Sequence, residues 1–228
     1  MKDYADYREQ IAQIKIEVDA VIFDLDGTLI DSSRDIAWAV NKTLRDIGFG
    51  ELSYDVIKSY IGWGVKMLLE QAIPKERHNM LDQTREIFLE HYGKHLLIDT
   101  HLYSGVKDIL EYFKHKKLAI VTNKPIGLTE KILDGLSISK YFQKVIGGDN
   151  VQNKKPHPQA VEVILKDLSV KPENAVFVGD SKIDIEAGKN AGIAACGAVY
   201  GFRGREELVN AGADFLIENI EELKKILI

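Results

Sequence analysis

The sequence predicts an α/β fold, a doubly wound, mostly parallel Rossmann-like sheet with an inserted helical cap domain, and three observations predict it. Short apolar runs recur along the 228 residues, amphipathic helical patterns separate them, and one separation is far too long for a simple crossover. The runs lie at 19–23, 118–121, 144–146, 175–178, 193–199 and 215–217. They are too short for helices and lack the polar alternation of a one-sided sheet, so they suit parallel strands covered on both faces. Helices of matching polarity follow. Val106, Ile109, Leu110 and Phe113 share one helix face, as do Ala160, Val161, Ile164, Leu165 and Leu168. In such a sheet ligands sit beyond the carboxyl ends of the strands.

Composition narrows the class of partner. With 45% apolar and 29% charged residues the chain can bury a full core. Its net charge of −5 comes without a basic block, which argues against nucleic acid and against an anionic membrane surface; a small soluble ligand is expected instead. No apolar run approaches the roughly 20 residues of a membrane span, and the first residues lack the apolar centre of a signal peptide, so a cytoplasmic protein is expected. The single cysteine, Cys196, lies in an apolar run and reads as a core residue. In the lead-in, 1–17, Tyr4, Tyr7, Ile11 and Ile14 are spaced like one helix face, which fits packing on the core or a contact in a dimer; monomer and homodimer both stay open.

The first apolar run ends in Asp24-Leu25-Asp26-Gly27-Thr28. In an extended segment residues i and i+2 point the same way, so both carboxylates face the crevice, where like charges repel. Such a pair shares a proton or binds a cation, and hard oxygen ligands suit Mg²⁺. From Ser33 onward the pattern turns helical throughout. One set is Ile36, Val40, Leu44 and Ile47; a second is Val65, Leu68, Leu69, Ala72 and Ile73; a third is Leu81, Thr84, Ile87, Phe88 and His91. The division expected is a catalytic core of 1–32 and 103–228 and a helical cap of 33–102, acting as a lid or as a rigid decoration.

Three later strand ends carry polar residues. Thr122 and Asn123 can donate to phosphate oxygens at a helix start or simply cap the helix. Asp180 and Asp184 bring two more acids to the same edge, although Asp184 also suits a helix N-terminus. Lys155 stands in a loop stiffened by Pro156 and Pro158.

In this order and spacing, Asp-Leu-Asp-Gly-Thr, Thr122, Lys155-Pro156 and Gly179-Asp180-Ser181-Lys182-Ile183-Asp184 resemble the four motifs of the haloacid dehalogenase superfamily of phosphohydrolases. The resemblance runs from about Val18 to the end of the chain and includes the position of the helical cap. It implies that Asp24 is a nucleophile forming an aspartyl phosphate and that Asp26 exchanges a proton with the leaving oxygen and the attacking water. It implies Mg²⁺ on the Asp24 carboxylate, the Asp26 backbone carbonyl and Asp180, with Asp184 in support. Gly27, Thr122 and Asn123 would bind the phosphoryl group, and Lys155 would neutralise charge. The second acid argues for phosphate transfer over dehalogenation.

Within the superfamily, the stretches 29–41, 61–69, 102–106 and 119–125 resemble those of phosphoglycolate phosphatases. A small phosphorylated metabolite, 2-phosphoglycolate above others, is the implied substrate. The Gly62 and Gly64 turn and Lys66 could meet its carboxylate, or could shape a helix junction with Lys66 in solvent. A β-phosphoglucomutase-like mutase and a pyrophosphatase would use the same core, and a phospho-acceptor receiver module is the non-enzymatic alternative. Arg203 and Arg205 fit either the site or a surface loop.

Overall fold

The computed structural model describes residues 15–228; the lead-in positions Tyr4, Tyr7, Ile11 and Ile14 lie outside them. Six parallel strands form the sheet: β1 (Ala20–Phe23), β4 (Lys117–Val121), β5 (Lys144–Ile146), β6 (Ala175–Gly179), β7 (Ala194–Ala198) and β8 (Phe215–Ile217). Their spatial order is β5-β4-β1-β6-β7-β8. Every one of the six apolar runs forms a strand. The chain adds strands to one side of β1 and then returns to add the rest on the other, so the order reverses beside β1, where a crevice opens at the carboxyl ends.

Alternation along β1 explains why the runs are apolar throughout. Val21 and Phe23 pack on one face with Val106, Ile109, Leu110 and Phe113, while Ala20 and Ile22 pack on the other with Ala160, Val161, Ile164 and Leu165. Both faces are therefore dry. Each large side chain buried this completely contributes about 1.5–3 kcal/mol. Cys196 is buried in the same core.

Within the inserted segment 33–102 lie four α-helices: α1 (Ser33–Asp46), α2 (Tyr54–Tyr60), α3 (Val65–Ala72) and α4 (Leu81–Lys94). Ile36, Val40 and Leu44 are buried on α1 as the spacing predicts, with Ile47 only half-buried. On α4 the fully buried line is Thr84, Phe88 and Tyr92, while Leu81, Ile87 and His91 are half-buried at its flank. The i, i+4, i+8 row decides which side points inward, and it passes through Tyr92.

Where the insertion begins and ends, a two-strand antiparallel ladder appears that the apolar pattern does not announce. β2 (Ile30–Asp31) pairs with β3 (His101–Leu102), with Ile30 opposite Leu102. Just inside it, the fully buried Asp35 carboxylate accepts from the backbone N–H of Asp99 and Thr100 (3.1 and 2.8 Å) and from the Thr100 hydroxyl (2.7 Å). His95 Nδ1 lies 3.0 Å from its Oδ1. The two ends of the helical segment are thus tied together by backbone and side chain.

Candidate active site

The site forms because three neighbouring parallel strands stop at one edge. Phe23 is in register with Ile120 and with Val178, so Asp24 and, one position further along their strands, Thr122 and Asp180 emerge at the same edge where the apolar runs end. Gly27 lets the chain turn there. It has φ +86°, and a Cβ would collide with the Asp180 carboxylate, so glycine is required for the turn to cross that acid. Gly27 is not among the residues lining the cavity, and its backbone N–H donates to the Ile30 carbonyl (2.8 Å).

Beneath the cavity the charged groups are nearly dry. Lys155 donates from Nζ to Asp24 Oδ1 and to Asp184 Oδ1, both at 2.7 Å. Asp184 Oδ2 accepts from the Ser181 backbone N–H (3.0 Å) and hydroxyl (2.6 Å), a capping box that opens α8 (Lys182–Asn190) when the helices are numbered onward through α5 (Val106–Tyr112), α6 (Ile126–Gly135) and α7 (Gln159–Asp167). Asp184 thus caps this helix while its other oxygen reaches Lys155. Asp180 Oδ2 accepts from the Phe202 backbone N–H at 2.6 Å.

Oxygens of Asp24, Asp180 and Asp184 lie within 4.8 Å of one another. Three carboxylates against one ammonium leave an excess of negative charge. Burial accordingly pushes the Asp24 carboxyl up to about 7 against the pull of Lys155, and burial with Asp184 and Asp24 as neighbours holds Asp180 well above the usual range. Burial works against the Lys155 charge, but Asp184 and Asp24 more than offset it and keep that ammonium above its ordinary value. An all-oxygen, net-negative donor set of this kind fits a hard divalent cation.

Asp26 faces the same cavity with different partners. Its Oδ1 accepts from the Ser32 hydroxyl (2.5 Å) and from Lys124 Nζ (2.8 Å), so its carboxylate stands apart from the three-acid cluster. Lys124 also donates to the Tyr92 hydroxyl at 2.7 Å. Neither Lys124 nor Tyr92 is among the residues nominated from sequence. The phase of α4 was the available signal for Tyr92; the Lys124 contact spans 98 positions and leaves none.

Above the strand ends lies a cavity open to solvent. Asp24, Asp26, Thr122 and Asn123 line it from below, and Gly62 and Gly64 from the helical side. The Asn123 side chain donates to the Gly62 carbonyl (3.0 Å) and the Lys155 carbonyl (3.2 Å) and accepts from the Lys155 N–H (3.1 Å). Arg203 donates to the Ile61 carbonyl, and Arg205 pairs with Glu218. Lys66 does not join this group. Val65 and Leu68 face the cavity, which turns Lys66 outward on the same helix; its side chain is 74% exposed, with Glu70 at 3.7 Å.

A family model described as haloacid dehalogenase-like hydrolase matches residues 21–198. The phosphoglycolate phosphatase of Colwellia psychrerythraea is 40% identical over 216 residues, covering 91% of this chain and 96% of the relative. That of Aquifex aeolicus is 40% identical over 209 residues, covering 91% and 95%. Among solved structures, a predicted phosphoglycolate phosphatase from Haemophilus somnus superposes with a TM-score of 0.85 at 29% identity, covering 92% of this chain and 97% of that one.

Proposed function

This chain belongs to the haloacid dehalogenase-like hydrolase family and is a phosphomonoester hydrolase, and on that premise we propose that it hydrolyses 2-phosphoglycolate through a phosphoryl group carried on Asp24. The observation that carries this reading is the division of partners between two carboxylates facing one cavity. Asp24 is held by Lys155, Asp26 by Ser32 and Lys124. One belongs to the buried acid cluster that a divalent cation would neutralise, which suits it to attack, and the other stands apart from that cluster, placed to move a proton.

With Oδ1 of Asp24 held by Lys155, Oδ2 is the oxygen left to attack phosphorus. The new Asp24–phosphorus bond forms as the ester oxygen leaves, and Asp26 supplies the proton that oxygen takes up. Water then attacks the same phosphorus while Asp26 takes its proton, freeing Asp24 and inorganic phosphate. Thr122 and the Asn123 backbone bind the phosphoryl oxygens. Mg²⁺, held by Asp24, Asp180 and the Asp26 backbone carbonyl with Asp184 behind them, would supply charge neutralisation to the transferring group. Capture of the phosphoryl group by a side chain divides one very slow displacement into two.

The helical segment 33–102 is proposed to act as the cap that restricts the cavity to small phosphorylated metabolites. No helix among the described residues is long and apolar enough to cross a membrane, and the proposed setting is the cytoplasm. A steady-state panel with Mg²⁺, measuring phosphate release from 2-phosphoglycolate, hexose phosphates and pyrophosphate, tests the reading. The expected result is a clear preference for 2-phosphoglycolate. A flat profile, a preference for a sugar phosphate, or isomerisation without phosphate release would defeat it.

A further inference from the structure

Among the described residues, one cationic side chain lines the cavity, and it is Lys124. Lys155 is committed to Asp24 and Asp184, and Lys66 lies outside. The Lys124 side chain is 4% exposed, with apolar walls from Ile36, Leu68 and Phe88 close by. In such surroundings a charge interacts far more strongly than it does in water.

Tyr92 fixes this ammonium from the helical side. Its hydroxyl accepts from Nζ, and Nζ also lies 4.7 Å from the centre of the Tyr92 ring. Burial pushes the phenol up to about 12, so it keeps its own proton. An ammonium has three N–H donors and a phenol has one. Among the described residues two of the former are engaged, by Asp26 and Tyr92, and the phenol proton is directed at no residue. One N–H and one O–H therefore remain for a ligand anion, beside the carboxylate that serves the leaving oxygen.

We propose that Lys124, held in place by Tyr92, is the specificity determinant that recognises a carboxylate on the leaving-group side of the substrate. The enzyme then selects phosphate esters of short hydroxy acids over those of neutral alcohols. This rests on the phosphatase reading, in which Asp26 marks the leaving-group end. The reach is short: in a two-carbon ester the carboxylate carbon is two bonds from the ester oxygen, and Lys124 Nζ is 2.8 Å from Asp26.

The test compares 2-phosphoglycolate with ethyl phosphate, in which a methyl group replaces the carboxylate. Wild type should favour the former by about 10–100-fold in kcat/KM, the range of a charge-assisted hydrogen bond. Lys124→Met lowers turnover of both esters because Asp26 loses a partner, and it collapses the ratio to below about 5, chiefly through KM for 2-phosphoglycolate. Tyr92→Phe keeps the ring and should reduce the ratio by about 3–10-fold. General damage would scale both substrates and leave the ratio intact. Should Lys124→Met fail to fold, Tyr92→Phe decides on the same ratio. A wild-type ratio near one, with phosphate still released, overturns this inference and leaves the phosphatase reading standing; so does a ratio that Lys124→Met or Tyr92→Phe preserves. Release of phosphate from neither ester overturns both.

Discussion

The floor of the cavity and its roof are held by different means. Below, Asp24, Lys155, Asp184 and Ser181 form an unbroken line of buried hydrogen bonds among residues that follow adjoining strands. Above, the helical segment meets the strand ends through single bonds: Asn123 to Gly62, Lys124 to Tyr92 and Arg203 to Ile61. The floor bonds share buried charged partners, whereas the three bonds of the roof are separate from one another. On the proposed reading, the chemistry stays with the strand ends, while choice of substrate is shared between Lys124 at a strand end and Tyr92 on a helix of the roof.

The sharpest way to break that comparison is at Asp24. Asp24→Asn should lower kcat by at least about 10³-fold with melting temperature unchanged or higher, since a buried carboxylate is gone while its shape is kept. Full activity in phosphate-release assays would end the proposed chemistry. Removal of divalent cations comes next. In the metal-free protein the Asp24 carboxyl is raised from 3.8 to about 7 by burial, so the folded state holds a proton that the unfolded chain has released. Stability is then fully present below pH 3.8 and is lost as pH rises through 7. Melting in EDTA should fall between about pH 5 and pH 8, and millimolar Mg²⁺ should raise it more at the higher pH; equal stabilisation at both values would contradict this.

Asn123 joins the two regions, because one amide touches Gly62 in the roof and the Lys155 backbone in the floor. Asn123→Ala should reduce kcat/KM by about 10–100-fold, as a displaced catalytic group does. A change confined to KM would place Asn123 in the roof alone. Gly64→Ala is the mildest probe. At φ +85° and ψ 169°, with Asn123 O 3.1 Å from the added Cβ, it costs about 1–3 kcal/mol of strain at the roof and should raise KM by several-fold with kcat retained. A fall in kcat instead would show that the roof also positions the reacting groups.

The floor was largely legible in the sequence and the roof was not. Strand ends are announced by where an apolar run stops, and parallel pairing brings those stops to one edge, so the order of residues alone was enough to gather Asp24, Thr122 and Asp180. Lys155 and Asp184 followed from motif resemblance. The roof depends on rotation about helix axes. A difference of one residue on α4 separates half-buried His91 from buried Tyr92, and facing Val65 and Leu68 inward turns Lys66 to solvent. The ion pair of Lys124 with Asp26 and the Asp35 network join residues 98 and 65 positions apart, at distances in sequence where periodicity carries no signal. The ladder between Ile30–Asp31 and His101–Leu102 is too short to leave a pattern.

That ladder also makes the helical segment a cassette. Opposed residues in an antiparallel pair have Cα atoms about 4.5–5.5 Å apart, so Ile30 and Leu102 form a socket whose two contacts are adjacent. Any compact insert with neighbouring termini can be spliced there without redirecting a strand, and a short turn can close the gap when the insert is deleted. A protein engineer who exchanges the segment has to cut only at two places that already touch, provided the new insert restores the apolar contacts the segment shares with the sheet.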